Sequence, residues 1–393
     1  MSGERVSRMS AWCRRAAKIS VSLLVGILMA EVAVRMLAAA PLLPAGYPAG
    51  LYEADEALGH SLAPGFEGVM RRGKWGKNEV EIRINDDGYR GAAYDAGSSD
   101  EAIVVLGDSF AFGHGVGESE TFSHVLEEGL ESAGRRVQVV NLGVPGYNTF
   151  QELAQFKEGL GPARPSLVVL AVYVGNDISE NLSWSERRAT VASGVLVSAD
   201  RGGKPSLWAR TKAFLVVRSH LARIFVAKFS RRKPRARLVA GEGNPCDVLA
   251  WDAGVALAVL RSGEDPLVTR AMSLTCQAIQ ELSDVVRERG ARMLLVFLPA
   301  PHQYHPGALA LAKEACALGE DEFDLDRPQR TLRACAPEGI PILDLTPELR
   351  RWCEQRESER PFFDVHFNAV GNRIVGEAMA SWISDLDVLD RSD

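Results

Sequence analysis

A serine, a histidine and an aspartate occupy positions that suit acyl chemistry. Ser109 closes the tripeptide Gly107-Asp108-Ser109 just past the apolar run 102–106, and Asp364-Val365-His366 lies near the C-terminus. A serine hydroxyl is a weak nucleophile at its own pKa. It needs a base within hydrogen-bond reach, and that base works better when a carboxylate orients it. Attack on an acyl carbon also builds an oxyanion that calls for fixed N–H donors. Two further stretches offer such donors: the backbone of Asn141-Leu142-Gly143 and the side-chain amide in Gly175-Asn176-Asp177.

These groups converge only if the elements before them bring them to one edge. Short apolar runs at 102–106, 137–140, 167–174, 292–298 and 340–345 read as buried strands. Helical patterns alternate with them. Phe122, Val125, Leu126, Leu130 and Ala133 recur at helical spacing. Thr149 and Glu152 suggest a capping box opening a helix with Leu153, Phe156 and Leu160. Ala271, Ala278, Ile279, Leu282, Val285 and Val286 mark a long helix ending at Gly290. Such alternation predicts an α/β fold, a parallel sheet with helices on both faces. Ser109, Gly143 and Asn176 then follow three strand ends, at the sheet edge where open α/β folds bind ligands. Asp364 and His366 share a loop, and Asn368 suits the N-cap of a final helix.

Two regions flank this pattern. Residues 41–50 form a Pro/Gly linker, and 51–100 read as a small β-hairpin lead-in, with Val80–Ile84 followed by the turn signal Asn85-Asp86-Asp87-Gly88. Residues 179–262 break the rhythm as an insertion suited to a cap or substrate platform. The insertion holds an amphipathic stretch over 207–229 and a basic run over 231–237, read as a solvated surface tail, with anionic headgroups or an acidic glycan as the alternative partner.

At 393 residues, 46% hydrophobic and 24% charged, the chain has ample core material, and its net charge of −6 excludes a nucleic-acid footprint. Arg5, Arg8, Arg14, Arg15 and Lys18 precede an apolar stretch reaching Ala40, long enough to span hydrocarbon as a helix. Glu31 and Arg35 lie inside it, four apart on one face, where they can pair or reach the outer headgroups. The organisation expected is a cytoplasmic tail over 1–18, an uncleaved signal-anchor over 19–40, a linker and lead-in over 41–100, and a catalytic domain over 101–390 facing outward. A cleaved signal peptide ending at Ala38-Ala39-Ala40 is the rival reading, opposed by the charges between core and site. Cys13 falls in the tail. Cys246, Cys276, Cys316, Cys335 and Cys353 face an oxidising compartment, and their odd number leaves at least one free or paired between chains. Their spacing gives no zinc pattern.

Taken together, the four blocks resemble the SGNH (GDSL-type) hydrolase superfamily, named for Ser, Gly, Asn and His in separate blocks. The lead-in, with Asn85-Asp86-Asp87-Gly88-Tyr89-Arg90, is similar to that of its membrane-anchored bacterial branch. The resemblance implies a three-layer flavodoxin-like fold with Ser109 as nucleophile, His366 as general base and Asp364 as its partner. It assigns the oxyanion hole to the Ser109 and Gly143 N–H groups and the Asn176 amide. It implies no cofactor and no metal. One departure stands out: the family pattern is Asp-x-x-His, and here Phe363 holds the usual acid position. Asp364 must reach His366 through a different loop conformation, or a Ser–His dyad works with a backbone carbonyl orienting the ring.

The expected activity is that of a serine esterase in the bacterial inner membrane, facing the periplasm or exterior. It would cleave small acyl esters, acetyl first among them, on small molecules or on envelope or exopolysaccharide glycans. An O-acetyltransferase using the same site and a catalytically silent carbohydrate-binding or assembly protein are the alternatives. An α/β-hydrolase is disfavoured because Gly107-Asp108-Ser109-Phe110-Ala111 lacks the second glycine of Gly-x-Ser-x-Gly. His302 and His305 read as substrate contacts or surface residues, and His60, His114 and His124 as structural. Asp108 and Asp177 read as structural acids bonding neighbouring backbone.

Overall fold

The computed structural model describes residues 2–37, 46–72, 78–97, 99–159, 164–184, 189–199, 203–229, 257–316, 319–356, 359–363 and 365–386. Helix α1 (Ser2–Leu37) is continuous. Its segment Arg14–Met36, with mean hydropathy 2.0 and none of it buried, is long and apolar enough to cross a membrane by length and composition. Glu31 and Arg35 pair at 2.8 Å, as their spacing predicts.

The lead-in is two short antiparallel pairs, β1 (Tyr52–Glu53) with β2 (Ser61–Leu62) and β3 (Glu67–Arg72) with β4 (Asn78–Arg83). The 80–84 segment therefore finds its main partner upstream. The turn at Asn85–Gly88 closes only a single bridge between Ile84 and Arg90. Leu51, Met70, Ile82 and Ile84 pack with Phe112, Val144 and Tyr147 of the main domain, so the lead-in is fused to the region behind Ser109. Burying each such side chain contributes about 1.5–3 kcal/mol. Arg90 completes the junction. Its buried guanidinium donates to the carbonyls of Phe112, Gly113 (2.7 Å) and Val116 (2.6 Å).

The main domain begins with β5 (Glu101–Leu106), α2 (Ser109–Phe112), α3 (Phe122–Ser132), β6 (Val137–Asn141), α4 (Thr149–Glu158), β7 (Leu167–Tyr173) and α5 (Asp177–Trp184). The insertion follows, with the hairpin β8 (Ala189–Ala192) and β9 (Val195–Ser198), then α6 (Leu207–Arg218) and α7 (His220–Phe229). The domain resumes with α8 (Pro266–Glu288), β10 (Arg292–Leu298), α9 (Pro301–Tyr304), α10 (Pro306–Cys316), α11 (Arg327–Cys335), β11 (Ile342–Asp344), α12 (Thr346–Gln355) and α13 (Ala369–Asp385).

All pairs in the five-stranded sheet are parallel, in the order β11-β10-β7-β5-β6. Taken in chain order, that is the flavodoxin-like 2-1-3-4-5 arrangement, with its switch point between β5 and β7. Every residue of β7 is buried, as a central strand covered on both faces requires. Helix α3 packs with α13 in one layer, and α4, α5 and α11 pack around α8 in the other. A disulfide joins Cys276 of α8 to Cys335 of α11, and Cys353 is free and buried. The side chains of Cys13, Cys246 and Cys316 lie outside the described residues.

Two expectations need correction. Helix α4 is capped one residue earlier than Thr149: Asn148 accepts from the Phe150 and Gln151 N–H groups, and Gln151 reciprocates. Asparagine makes the stronger cap, and Glu152 is instead buried. The amphipathic 207–229 stretch is two helices broken at Ser219, not one. The basic run 231–237 lies outside the described residues.

Candidate active site

Ser109 is the first residue of α2, so its N–H has no intrahelical acceptor. Two glycines let the backbone close in around it. A Cβ on Gly107 would meet Ala111 Cβ at 2.8 Å, and one on Gly143 would meet the Phe112 nitrogen at 2.2 Å. Only glycine lets the loops after β5 and β6 stack this tightly.

His366 comes from the loop between α12 and α13. Asn368 caps α13 by accepting from Val370 and Gly371, and a bridge between Phe362 and Phe367 holds the base of that loop. Buried Phe367 packs edge-on against Phe110, whose ring also stacks on Tyr173. The core thus fixes the imidazole's position. Its Nε2 lies 2.8 Å from Ser109 Oγ, the geometry in which the hydroxyl donates to a neutral ring. Asp364, expected to orient that ring, lies outside the described residues.

The expected oxyanion donors sit at the adjoining strand ends, already engaged within the site. The Asn176 amide donates to Asp108 Oδ2 at 3.1 Å and also hydrogen-bonds the Glu180 carboxyl. The Gly143 N–H donates to Asn141 Oδ1 at 2.9 Å. Asp108 does more than bond neighbouring backbone: one oxygen accepts from Phe110 N and caps α2, while the other holds Asn176. Below it, Asp177 accepts from Tyr173 N. Burial pushes the carboxyls of Asp108, Glu152, Asp177 and Glu180 up, Glu180 to about 8. Burial thus disfavours the charged form of each of these acids.

Ser109 and His366 open into a cavity of about 340 Å³ whose other walls are Tyr47, Pro48, Tyr52, His114, Pro145, Gly146, Val195 and Leu196. The lead-in and the β8–β9 hairpin supply much of this wall, and most of it is apolar. His302 and His305 do not line it. Burial lowers the His302 pKa to about 4, and His305 Nδ1 accepts from Ala308 N. His124 pairs with Glu128 one turn along α3.

His114 departs from its expected structural role. Its ring lies over His366, and its Nδ1 is 2.6 Å from the Tyr47 hydroxyl. Tyr47, Tyr52 and Leu196 were also missed as site residues. The one available signal was His114's place five residues after Ser109, since the lead-in and insertion contacts are long-range.

The family described as GDSL-like Lipase/Acylhydrolase matches residues 105–374. A search of curated proteins found no match. Among solved structures, the acetyl xylan esterase AlAXEase is 13% identical, covering 72% of this chain and 99% of that one, with a TM-score of 0.38. TesA is 13% identical over 74% of this chain and 100% of that one, with a TM-score of 0.37. A catalytic mutant of an acetylxylan esterase from Geobacillus stearothermophilus is 11% identical over 72% and 93%, with a TM-score of 0.36.

Proposed function

The chain belongs to the GDSL-like lipase/acylhydrolase family, and from that premise we propose that it is a membrane-tethered serine esterase acting on short acyl esters, acetyl first among them. The observation that carries the reading is the 2.8 Å approach of Ser109 Oγ to His366 Nε2 at the mouth of an apolar cavity. As Ser109 Oγ attacks the acyl carbon, His366 Nε2 takes the hydroxyl proton. The oxyanion receives the Ser109 N–H and the Asn176 amide, which lets go of one of its carboxyl partners, Asp108 or Glu180. Gly143 joins them by releasing Asn141 Oδ1. Collapse of the intermediate breaks the ester C–O bond, and the imidazolium returns its proton to the departing alcohol. A water then attacks the acyl-enzyme with His366 as base, releasing the acid and freeing Ser109.

Tethering through α1 is supported by the apolar Arg14–Met36 segment, and the basic residues before it favour a cytoplasmic N-terminus. The Cys276–Cys335 disulfide suits an exported domain. Acylated envelope or exopolysaccharide glycans are the substrates such a placement would offer. The full chain in detergent should hydrolyse p-nitrophenyl acetate, and Ser109→Ala should abolish turnover with the circular dichroism spectrum unchanged. Full activity in that variant would overturn the assignment.

A further inference from the structure

Among the described residues, helix α6 carries an exposed apolar face. Leu207 is 79% exposed, Trp208 74%, Phe214 49% and Leu215 46%. With Thr211 and Arg218 these positions fall at i, i+1, i+4, i+7, i+8 and i+11, one broad face of a helix. Arg218 lies 4.2 Å above the Phe214 ring at the end of that face. An isolated exposed leucine needs no explanation, but a contiguous stripe of large apolar side chains marks an interaction surface.

The partner is indicated by what holds the other end of the helix pair. Glu31 of α1 accepts from Ser219 Oγ, His220 N and Leu221 N, capping the first turn of α7 at 2.8–2.9 Å. Arg35 pairs with Glu31 and donates to the Arg218 carbonyl at the end of α6. A charge within a membrane span is costly and needs a named partner. Here both charges are engaged by the α6–α7 corner, at the C-terminal end of the apolar segment. The corner is thereby tied to the level at which α1 would leave the hydrocarbon.

We propose that α6 and α7 lie in the bilayer interface beside α1, with Leu207, Trp208, Phe214 and Leu215 among the acyl chains, as a second membrane attachment. The inference rests on the reading of α1 as a membrane span. Arg210, Lys212 and Arg218 stand on or beside the same face, where their long side chains reach anionic headgroups. Tryptophan suits this depth, with its ring in the chains and its N–H at the headgroups. Helix α6 also packs on β8 and β9, whose Val195 and Leu196 line the cavity beside Ser109. The membrane-facing helix and the cavity wall are thus parts of one insertion.

The test uses the full chain in phosphatidylcholine–phosphatidylglycerol vesicles, with or without bromine on the acyl chains. The Trp208 signal is the emission difference between the chain and its Trp208→Phe variant. A roughly twofold loss of that signal in brominated vesicles, with little quenching by aqueous iodide, is expected for an interfacial helix. A signal equal in both vesicles and quenched by iodide overturns the proposal. So does a signal shielded from both quenchers, which would place a second copy over the face. Alkaline carbonate extraction of the same vesicles reports on α1 separately. A chain that resists extraction with Trp208 in water refutes the second attachment alone. An extracted chain with Trp208 still in lipid refutes the span and leaves α6 as a surface attachment.

Discussion

The imidazole of His114 lies 4.2 Å from that of His366, tilted by 30°, with the Tyr47 hydroxyl on its Nδ1. The proposed general base therefore has two ring neighbours, His114 and, at 4.9 Å, Phe110. Such contacts restrict the orientation of the ring.

Removing that ring should loosen the base without unfolding the chain. Aromatic contacts contribute about 0.5–1.5 kcal/mol. His114→Ala should accordingly lower kcat/KM for p-nitrophenyl acetate by about two- to tenfold. His114→Phe, which keeps a flat ring over His366, should recover most of that loss in the same steady-state assay.

Asp108 serves two groups with two oxygens, so its replacement separates their contributions. In Asp108→Asn one oxygen remains, and Asn is a good cap for α2. The Asn176 amide then faces an NH2 group in place of an acceptor and is pulled towards its other partner, Glu180. Misplacing one oxyanion donor should lower kcat by about a hundredfold with KM little changed. Separate kcat and KM values, with a thermal melt to confirm the fold, check this.

His60 makes the lead-in sensitive to acid. Its buried ring donates from Nε2 to the Pro145 carbonyl at the cavity wall, and burial lowers its pKa to about 4. A base with a depressed folded pKa stabilises fully above its unfolded value, near 6.5, and loses that contribution as pH falls towards 4. The loss is about 3 kcal/mol for this ring alone. The buried acids beneath Asn176 act in the opposite sense, so the readout is a difference. Chemical denaturation of the chain and of His60→Gln between pH 7 and 4 should show the shallower decline in the variant.

What the sequence made legible follows the range of the interactions. Runs such as 292–298 are buried on both faces, so composition alone marks them as strands, and β10 has those same bounds. Ser109, Gly143 and Asn176 were readable because each directly follows such a strand, and strand ends share one edge. The cap of α4 slipped by one residue because Asn148 and Thr149 are both good caps, and only side-chain geometry chooses between them. The role of His114 was hidden because it depends on Tyr47 and His366, residues 67 and 252 positions away that meet only in the folded chain. Glu31 and Arg35 were legible as a pair four residues apart. Their bonds to Ser219, His220 and Arg218 were not, because no local pattern encodes a contact between the N-terminal helix and an insertion.

The central claim is that Ser109 forms a covalent acyl-enzyme, and its most direct test is labelling with diethyl p-nitrophenyl phosphate, read by intact mass and peptide mapping. The account predicts a single diethylphosphoryl group, mapped to Ser109, appearing in step with loss of esterase activity and absent from Ser109→Ala and His366→Ala. Activity that disappears with the label on another residue, or persists with Ser109 fully modified, would contradict it.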